Sequence, residues 1–340
     1  MKAEPIVFAV AVCVAFAVKA DVSMEERRAT DVSRARGYAY GAKAKEVFCV
    51  VDQDDVPVAG ARIYGGFVGG PDVNGFTDKN GVYIAKGRCK DWLSYTFFKE
   101  GYYETCGKVQ YLDTTSFPAV VSGKWQPYGS RHQIVLKKIK NPRRSAMMPK
   151  NRGPEYNIPE YGKWIGFDMA QYDWTCPYGT GKHADVMLKF MTQNGKTMFD
   201  FSYVMEVSFT NNLLAGAYVS KRDTSSQLWT AYNADTNALF KTMFTFKKER
   251  KPGQAVQIVE FIPRDSYLVY RTRTKVDDHG RLVSAHYGVI SGWFSTGNKM
   301  LLGETGFNPI ANDTNIEDAE TARKAALSYK QFLEQLQNEK

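Results

Sequence analysis

Short apolar runs, each closed by a cluster of turn residues, dominate the chain after residue 45. Val47-Phe48-Cys49-Val50-Val51 is the first, and Asp52 to Asp55 ends it. Val58 to Tyr64, Phe76-Thr77, Val82 to Ala85, Trp92 to Lys99, Tyr102 to Tyr111 and Gln133 to Lys138 follow. About seven short strands with frequent turns predict a β-sandwich. Between two of them stands Asp78-Lys79-Asn80-Gly81, and Asn-Gly in that place predicts a hairpin, because Gly takes positive φ without steric cost. Further on, Phe199, Phe201, Tyr203, Met205, Val207 and Phe209 alternate with mostly polar residues, a period of two that gives one buried face. Leu268, Tyr270, Thr272, Thr274 and Val276 face one way, with Arg271, Arg273 and Lys275 opposite. Val283, Ala285, Tyr287 and Val289 alternate again after the turn at Asp278-His279-Gly280. These predict a second antiparallel module. Near the end the period changes: Ala319, Ala322, Ala326, Tyr329, Leu333 and Leu336 form one helical stripe, with Asp313 or Thr314 as the expected cap.

Asp21 to about Lys45 shows no apolar period and carries opposed charges, so it reads as a loose arm or short helix. Asn141 to Tyr161 is proline-rich, contains Arg143 and Arg144, and has few apolar residues, which reads as a linker. The expected divisions are therefore 1–20, 21–44, 45–140, 141–161, 162–312 and 313–340.

The first module carries a more specific pattern. Val50-Val51-Asp52, Pro57-Val58-Ala59-Gly60-Ala61-Arg62-Ile63, Thr77-Asp78-Lys79-Asn80-Gly81-Val82-Tyr83 and Lys99-Glu100-Gly101-Tyr102 occur in that order. The order resembles the carboxypeptidase regulatory-like domain over roughly residues 45–140. The resemblance implies a transthyretin-like, immunoglobulin-like β-sandwich, an accessory module of secreted or surface proteins; it implies no peptidase activity. One departure is Asp55, where the family commonly has Gly. The stretch from Arg273 to Phe294, with Asn308-Pro309, Asn312-Asp313 and Asn315 beyond it, resembles the C-terminal part of exported bacterial proteins that carry the same domain in front. That second resemblance brings no function. The expected fold class is mainly β: the N-terminal sandwich, a second antiparallel β module, and a C-terminal amphipathic helix.

The start of the chain changes the setting. Lys2 precedes an apolar run from Pro5 to Val18, and Val18-Lys19-Ala20 supplies small residues for cleavage before Asp21. This is the pattern of a cleaved secretory signal. At about 14 residues the run is shorter than the roughly 20 needed to span a bilayer. Cys13 lacks the small residue expected before a lipidated cysteine. Export places Cys49, Cys89, Cys106 and Cys176 in an oxidising compartment, where Cys89 and Cys106, flanking a predicted strand, are the expected disulfide; the other pairings and four free thiols stay open.

The formal net charge of +9 is spread along the chain, +4 over residues 21–140, +6 over 141–312 and −2 over 313–340. No nucleic-acid module accompanies it, so nucleic acid is not the expected partner. Catalytic motifs are equally scarce. His132, His183, His279 and His286 stand in no zinc-hydrolase spacing. Cys176, His183 and Asp185 could meet at a metal, but a solvated loop explains them more simply. Gly179-Thr180-Gly181-Lys182-His183 lacks the leading Gly and the Ser or Thr of a phosphate loop. Gly292 to Gly297 is one residue too long for a nucleophile elbow.

What remains is an aromatic stretch. Trp164, Tyr172, Trp174 and Tyr178, with Phe167, alternate with Asp168 and Asp173, a mixture that suits stacking on a sugar or peptide as well as a sandwich core. The expectation is an exported, non-catalytic binding or structural protein of the envelope or exterior, with a glycan or protein partner, no cofactor and no resident metal. The alternative is a secreted glycosidase-like hydrolase with its carboxylates in the C-terminal module.

Overall fold

The structure, a computed structural model, describes residues 23–112, 119–143, 155–210 and 213–338. The segment read as an export signal and the middle of the linker lie outside the described residues.

Ser23 starts helix α1, Met24–Tyr40. Its hydroxyl accepts from the Glu26 N–H at 3.2 Å, and the Glu26 carboxylate accepts from the Ser23 N–H at 2.8 Å. This reciprocal cap satisfies two orphan donors, and of the two expected forms, loose arm or short helix, the segment takes the helix, 17 residues long. The helix approaches the first module at Gly37, where a Cβ would lie 2.5 Å from the Trp125 ring.

The first module is a two-sheet sandwich. Ala42–Asp52 lies at the centre of one sheet, antiparallel to Val82–Cys89 and parallel to Ser130–Leu136. The second sheet runs in the order Asp72–Phe76, Arg62–Phe67, Trp92–Phe98, Thr105–Gln110. Phe48 and Val50 from one sheet meet Ile63, Leu93 and Phe97 from the other, and all five are buried. The Phe48 and Phe97 rings pack edge-on at 5.5 Å.

The turn at Asn80-Gly81 forms, but not as a hairpin. Asp78 Oδ1 accepts from the Asn80 and Val82 N–H groups, and Gly81 takes φ +72°. The strand before it pairs with Arg62–Phe67, and the strand after it pairs with Ala42–Asp52. The turn is an arch between the two sheets. Gly81 is needed there twice over, since a Cβ would also meet the Val50 carbonyl at 2.4 Å. Asp55 sits at φ 58°, the left-handed backbone a Gly would adopt, and Asp tolerates it.

The expected disulfide is not formed: all four cysteines among the described residues are free. Cys89 is buried and its thiol donates to the Trp92 carbonyl at 3.1 Å. Cys106 pairs in register with Thr96, four positions along the strand from Trp92. Four strand residues span roughly 13 Å, beyond the Cα separation of about 7 Å that a disulfide tolerates.

The second module holds a six-stranded antiparallel sheet in the order Asp173–Trp174, Trp164–Asp168, Val186–Asn194, Phe201–Ser208, Met243–Arg250, Gln257–Val259. A four-stranded sheet, Gly216–Lys221, Ser266–Val276, Leu282–Ile290, Thr305–Phe307, packs against it. A three-stranded sheet of Glu155–Asn157, Lys299–Leu302 and Trp293–Ser295 closes one end. Ser266–Val276 departs from its expected one-sided pattern. Leu268 and Tyr270 enter the main core, while Tyr267 and Val269 enter a second core on the opposite face. The four-stranded sheet is therefore a middle layer in that region. Tyr156 and Ile158, counted with the linker by composition, belong to the main core.

Helix α2, Ala319–Asn338, begins later than its expected caps. Asp318 caps it instead, accepting from the Thr321 N–H at 2.8 Å. Ala322 and Ala325 are buried against Tyr103 of the first module and Leu228 of the second. Just before the helix, buried Glu317 accepts from the Tyr103 hydroxyl at 2.9 Å and from the Lys140 and Asn141 N–H groups at 2.8 Å each. The C-terminal segment thus holds the two modules together. No described helix is long and apolar enough to cross a membrane.

Candidate functional site

The aromatic stretch divides by strand parity and turn. Tyr172 is fully buried and Trp174 nearly so, both in the main core. Trp174 packs edge-on against Phe167 at 5.1 Å and Phe190 at 5.9 Å. These two are therefore removed as ligand-binding candidates. Trp164 and Tyr178 remain exposed at 41% and 40%. Trp164 lies on the outer face of the six-stranded sheet with Lys189 Nζ 5.9 Å from its ring centre. The Tyr178 hydroxyl bonds Glu160, which also pairs with Lys163 at 2.6 Å.

The loop between these residues is built around buried carboxylates. Asp168 Oδ1 accepts from the Ala170 and Gln171 N–H groups, and Oδ2 from those of Lys182 and His183. Asp173 Oδ2 accepts from the Thr180 N–H and hydroxyl. The Gly-rich loop at 179–183 therefore wraps internal carboxylates, which occupy donors that a phosphate would need. Arg273 completes the cluster: Nε lies 2.8 Å from Asp185 Oδ1, and Nη2 lies 2.9 Å from both Asp168 Oδ1 and Asp185 Oδ2. It reaches them from a left-handed backbone, φ 49°, at an irregularity in the strand pairing. Periodicity placed Arg273 on a polar face but gave no sign of this pairing.

Asp168 and Asp185, which share the Arg273 guanidinium, invite the test for a catalytic carboxylate pair. They fail the chemical test. Burial works to raise the Asp168 carboxyl, but the N–H groups of His183, Lys182, Gln171 and Ala170 outweigh it and hold the group below the usual carboxylate range. Its oxygens are filled and fully buried. Such a carboxylate has no proton to give and no access to a water.

A recess suited to a ligand lies elsewhere. A pocket of about 210 Å³ opens where the loop at 228–230, the edge of the four-stranded sheet and the start of α2 meet. Gly288, Gly303 and Gly306 leave bare backbone along one wall. Half-buried Trp229 forms part of another; Tyr267 packs edge-on to it at 5.3 Å and the Arg222 guanidinium lies 4.8 Å from its centre. Arg222 in turn pairs with Glu304 at 3.0 Å. Thr230 lines the pocket and is only 4% exposed, and its hydroxyl has no partner among the described residues. Asn308 and Asn315 brace the rim: Asn308 Nδ2 donates to the Asn315 carbonyl at 2.8 Å, and Asn315 Nδ2 to the Asn141 carbonyl at 2.6 Å. Asp318 and Lys324 of the α2 region complete it. Sequence reasoning missed this pocket, because residues 228–230, 288–289, 303–308 and 315–324 converge only in space.

No protein-family model matches the chain. No curated protein matches it either. Solved structures show similarity, three of them as follows. The 3-chlorocatechol 1,2-dioxygenase of Rhodococcus opacus 1CP is 12% identical over 29% of this chain, at a TM-score of 0.23. That match spans 61% of the dioxygenase chain. A protein of Bacteroides uniformis ATCC 8492 described as a "putative carbohydrate binding protein" is 8% identical, over 80% of this chain and 100% of its own, at 0.18. A DUF3823 family protein of Bacteroides ovatus ATCC 8483 is 8% identical, over 78% and 97%, at 0.17. Scores this low carry no argument about topology or ligand.

Proposed function

We propose that the protein is an exported, non-catalytic glycan-binding module and that the pocket beside Trp229 is its binding site. The observation that carries this reading is a pocket that brings together an indole, carboxylates and bare glycine backbone. A sugar presents hydroxyls for the polar groups and an apolar ring face for the aromatic one. At about 210 Å³ the pocket is smaller than the roughly 300–1,000 Å³ of drug-sized clefts, which suits one sugar residue. Its carboxylates are engaged: Glu304 by Arg222, Glu320 by Arg323, and Asp318 by the Thr321 N–H. That favours binding over hydrolysis. Export rests on the signal-like pattern at residues 1–20, and the two-sheet sandwich supports the regulatory-like reading of residues 45–140.

The test is a glycan array with the secreted chain, whose intact mass should correspond to a start at Asp21. A hit should weaken at least tenfold in Trp229→Ala, a loss of about 1.4 kcal/mol. Hydrolysis of the bound glycan that disappears on mutating one pocket carboxylate would establish the hydrolase instead. A binding surface unaffected by Trp229→Ala would place the site elsewhere.

A further inference from the structure

A second, open cleft of about 620 Å³ lies beside the Arg273 cluster, lined by Lys182, His183, Asp185, Lys275, Ser284 and His286 among others. Its floor and rim differ in chemistry. At the floor, Asp185 Oδ1 already accepts from Arg273 Nε and the Thr272 hydroxyl, and Oδ2 from Arg273 Nη2 and the Met169 N–H. Asp168 behind it holds Arg273 Nη2 and four backbone donors. A cation entering the cleft finds no carboxylate oxygen free to receive it.

The rim offers the reverse. Lys182 and Lys275 are exposed and form no ion pair among the described residues. His286 Nδ1 lies 3.2 Å from the Asn308 carbonyl oxygen, which can only accept. Nδ1 therefore carries a proton, and Nε2 of the neutral ring is left as an acceptor for a sugar hydroxyl. The ring is held in place by stacking on Phe307 at 5.5 Å and 12°. The cleft thus presents two unpaired ammonium groups and a fixed imidazole acceptor above a floor whose carboxylate oxygens already hold donors.

We propose that this cleft binds an oxyanion carried on a sugar, either a uronate carboxylate or a sulfate ester. The sugar body rests on the glycan reading above; the charge argument stands apart from it. The cleft falls within the roughly 300–1,000 Å³ of small-molecule sites, and a bare inorganic anion offers no hydroxyl for His286 Nε2 to accept from. A single-stranded nucleic acid would need an exposed ring for its bases, and Phe307, the aromatic at this site, is buried.

The experiment is titration calorimetry of the full secreted chain with trigalacturonate, a sulfated disaccharide, maltotriose, inorganic sulfate and oligo(dT). At least one of the two acidic sugars should bind about tenfold tighter than maltotriose and inorganic sulfate. The double variant Lys182→Ala/Lys275→Ala should lose about tenfold for that sugar. Lys79→Ala/Lys196→Ala, which removes the same charge from other exposed positions, should not. Trp229→Ala should leave acidic-sugar binding intact, which separates this site from the first. Equal binding of maltotriose, equal binding of inorganic sulfate, tighter binding of oligo(dT), or equal loss in both lysine pairs would each overturn the proposal. Failure here with neutral glycans still bound at Trp229 would leave the glycan reading standing.

Discussion

Asp168 shows how a single buried charge can organise a loop without doing chemistry. Its carboxyl is lowered on folding, so it adds stability above its unfolded value of about 3.9. That stability is lost as pH falls through the lower folded value. Acid unfolding followed by tryptophan fluorescence should therefore show the second module weakening below about pH 4. Asp168→Asn should reduce that dependence. At neutral pH it should cost about 3–5 kcal/mol in urea unfolding, because Arg273 and the amide donors lose their charged partner. A variant as stable as the parent would mean the cluster is not structural. Cys89 teaches a related point: burial pushes its thiol up to about 11, which keeps it protonated and poorly reactive at neutral pH.

At the scale of elements, α2 reaches beyond its own module. Spacing gave the helix, but its buried face differs from the expected stripe: Ala322 is buried, whereas Ala326 is exposed and Ala325 is buried in its place. Ala322 and Ala325 meet Tyr103 across the module boundary, and Glu317 ties Tyr103 to Lys140 and Asn141. Ala325→Glu should place an unpaired charge in that contact and cost about 3 kcal/mol. Hydrogen exchange should then show α2 losing protection while the strands of both sandwiches keep theirs. Unchanged protection of α2 would mean that its docking does not depend on this junction.

For the whole molecule, the cores bear on how separable the modules are. The first sandwich's core draws only on residues 42–136, and the main core of the second only on residues 156–307. Between them lie polar ties as well as the α2 contact. Lys137 Nζ pairs with Asp223 at 2.9 Å and donates to the Leu228 carbonyl at 2.8 Å, and the Cys106 N–H donates to the Ser225 carbonyl at 2.8 Å. These ties weigh against free movement of the modules about the linker. We expect residues 23–140, which keep α1 and the complete Ala42–Asp52 strand, to unfold cooperatively when expressed alone. In the full chain, limited proteolysis should cut near Arg143, Arg144, Lys150 or Arg152 before it cuts the strands, and the nicked halves should co-elute on size exclusion. An unfolded fragment would show one shared folding unit; halves that separate would show a weak interface.

The sequence by itself determined what depends on near neighbours. Period-two alternation marked Met205 and Val207 as core, because a strand turns successive side chains to opposite faces. The Asp78–Gly81 turn and the presence of a C-terminal helix were legible for the same local reason. What only the tertiary structure decided was pairing at a distance. Asn80-Gly81 specifies a reversal of the chain, but whether the flanking strands join each other or opposite sheets depends on where Ala42–Asp52 lies. Tyr172 and Trp174 have the composition of a binding surface and became core because the six-stranded sheet turned them inward. Arg273 alternated as a surface residue until a pairing irregularity brought it to Asp168 and Asp185, 105 and 88 positions away in sequence. The Trp229 pocket assembles four separated segments, and no local pattern encodes a contact that exists only once the sheets have packed.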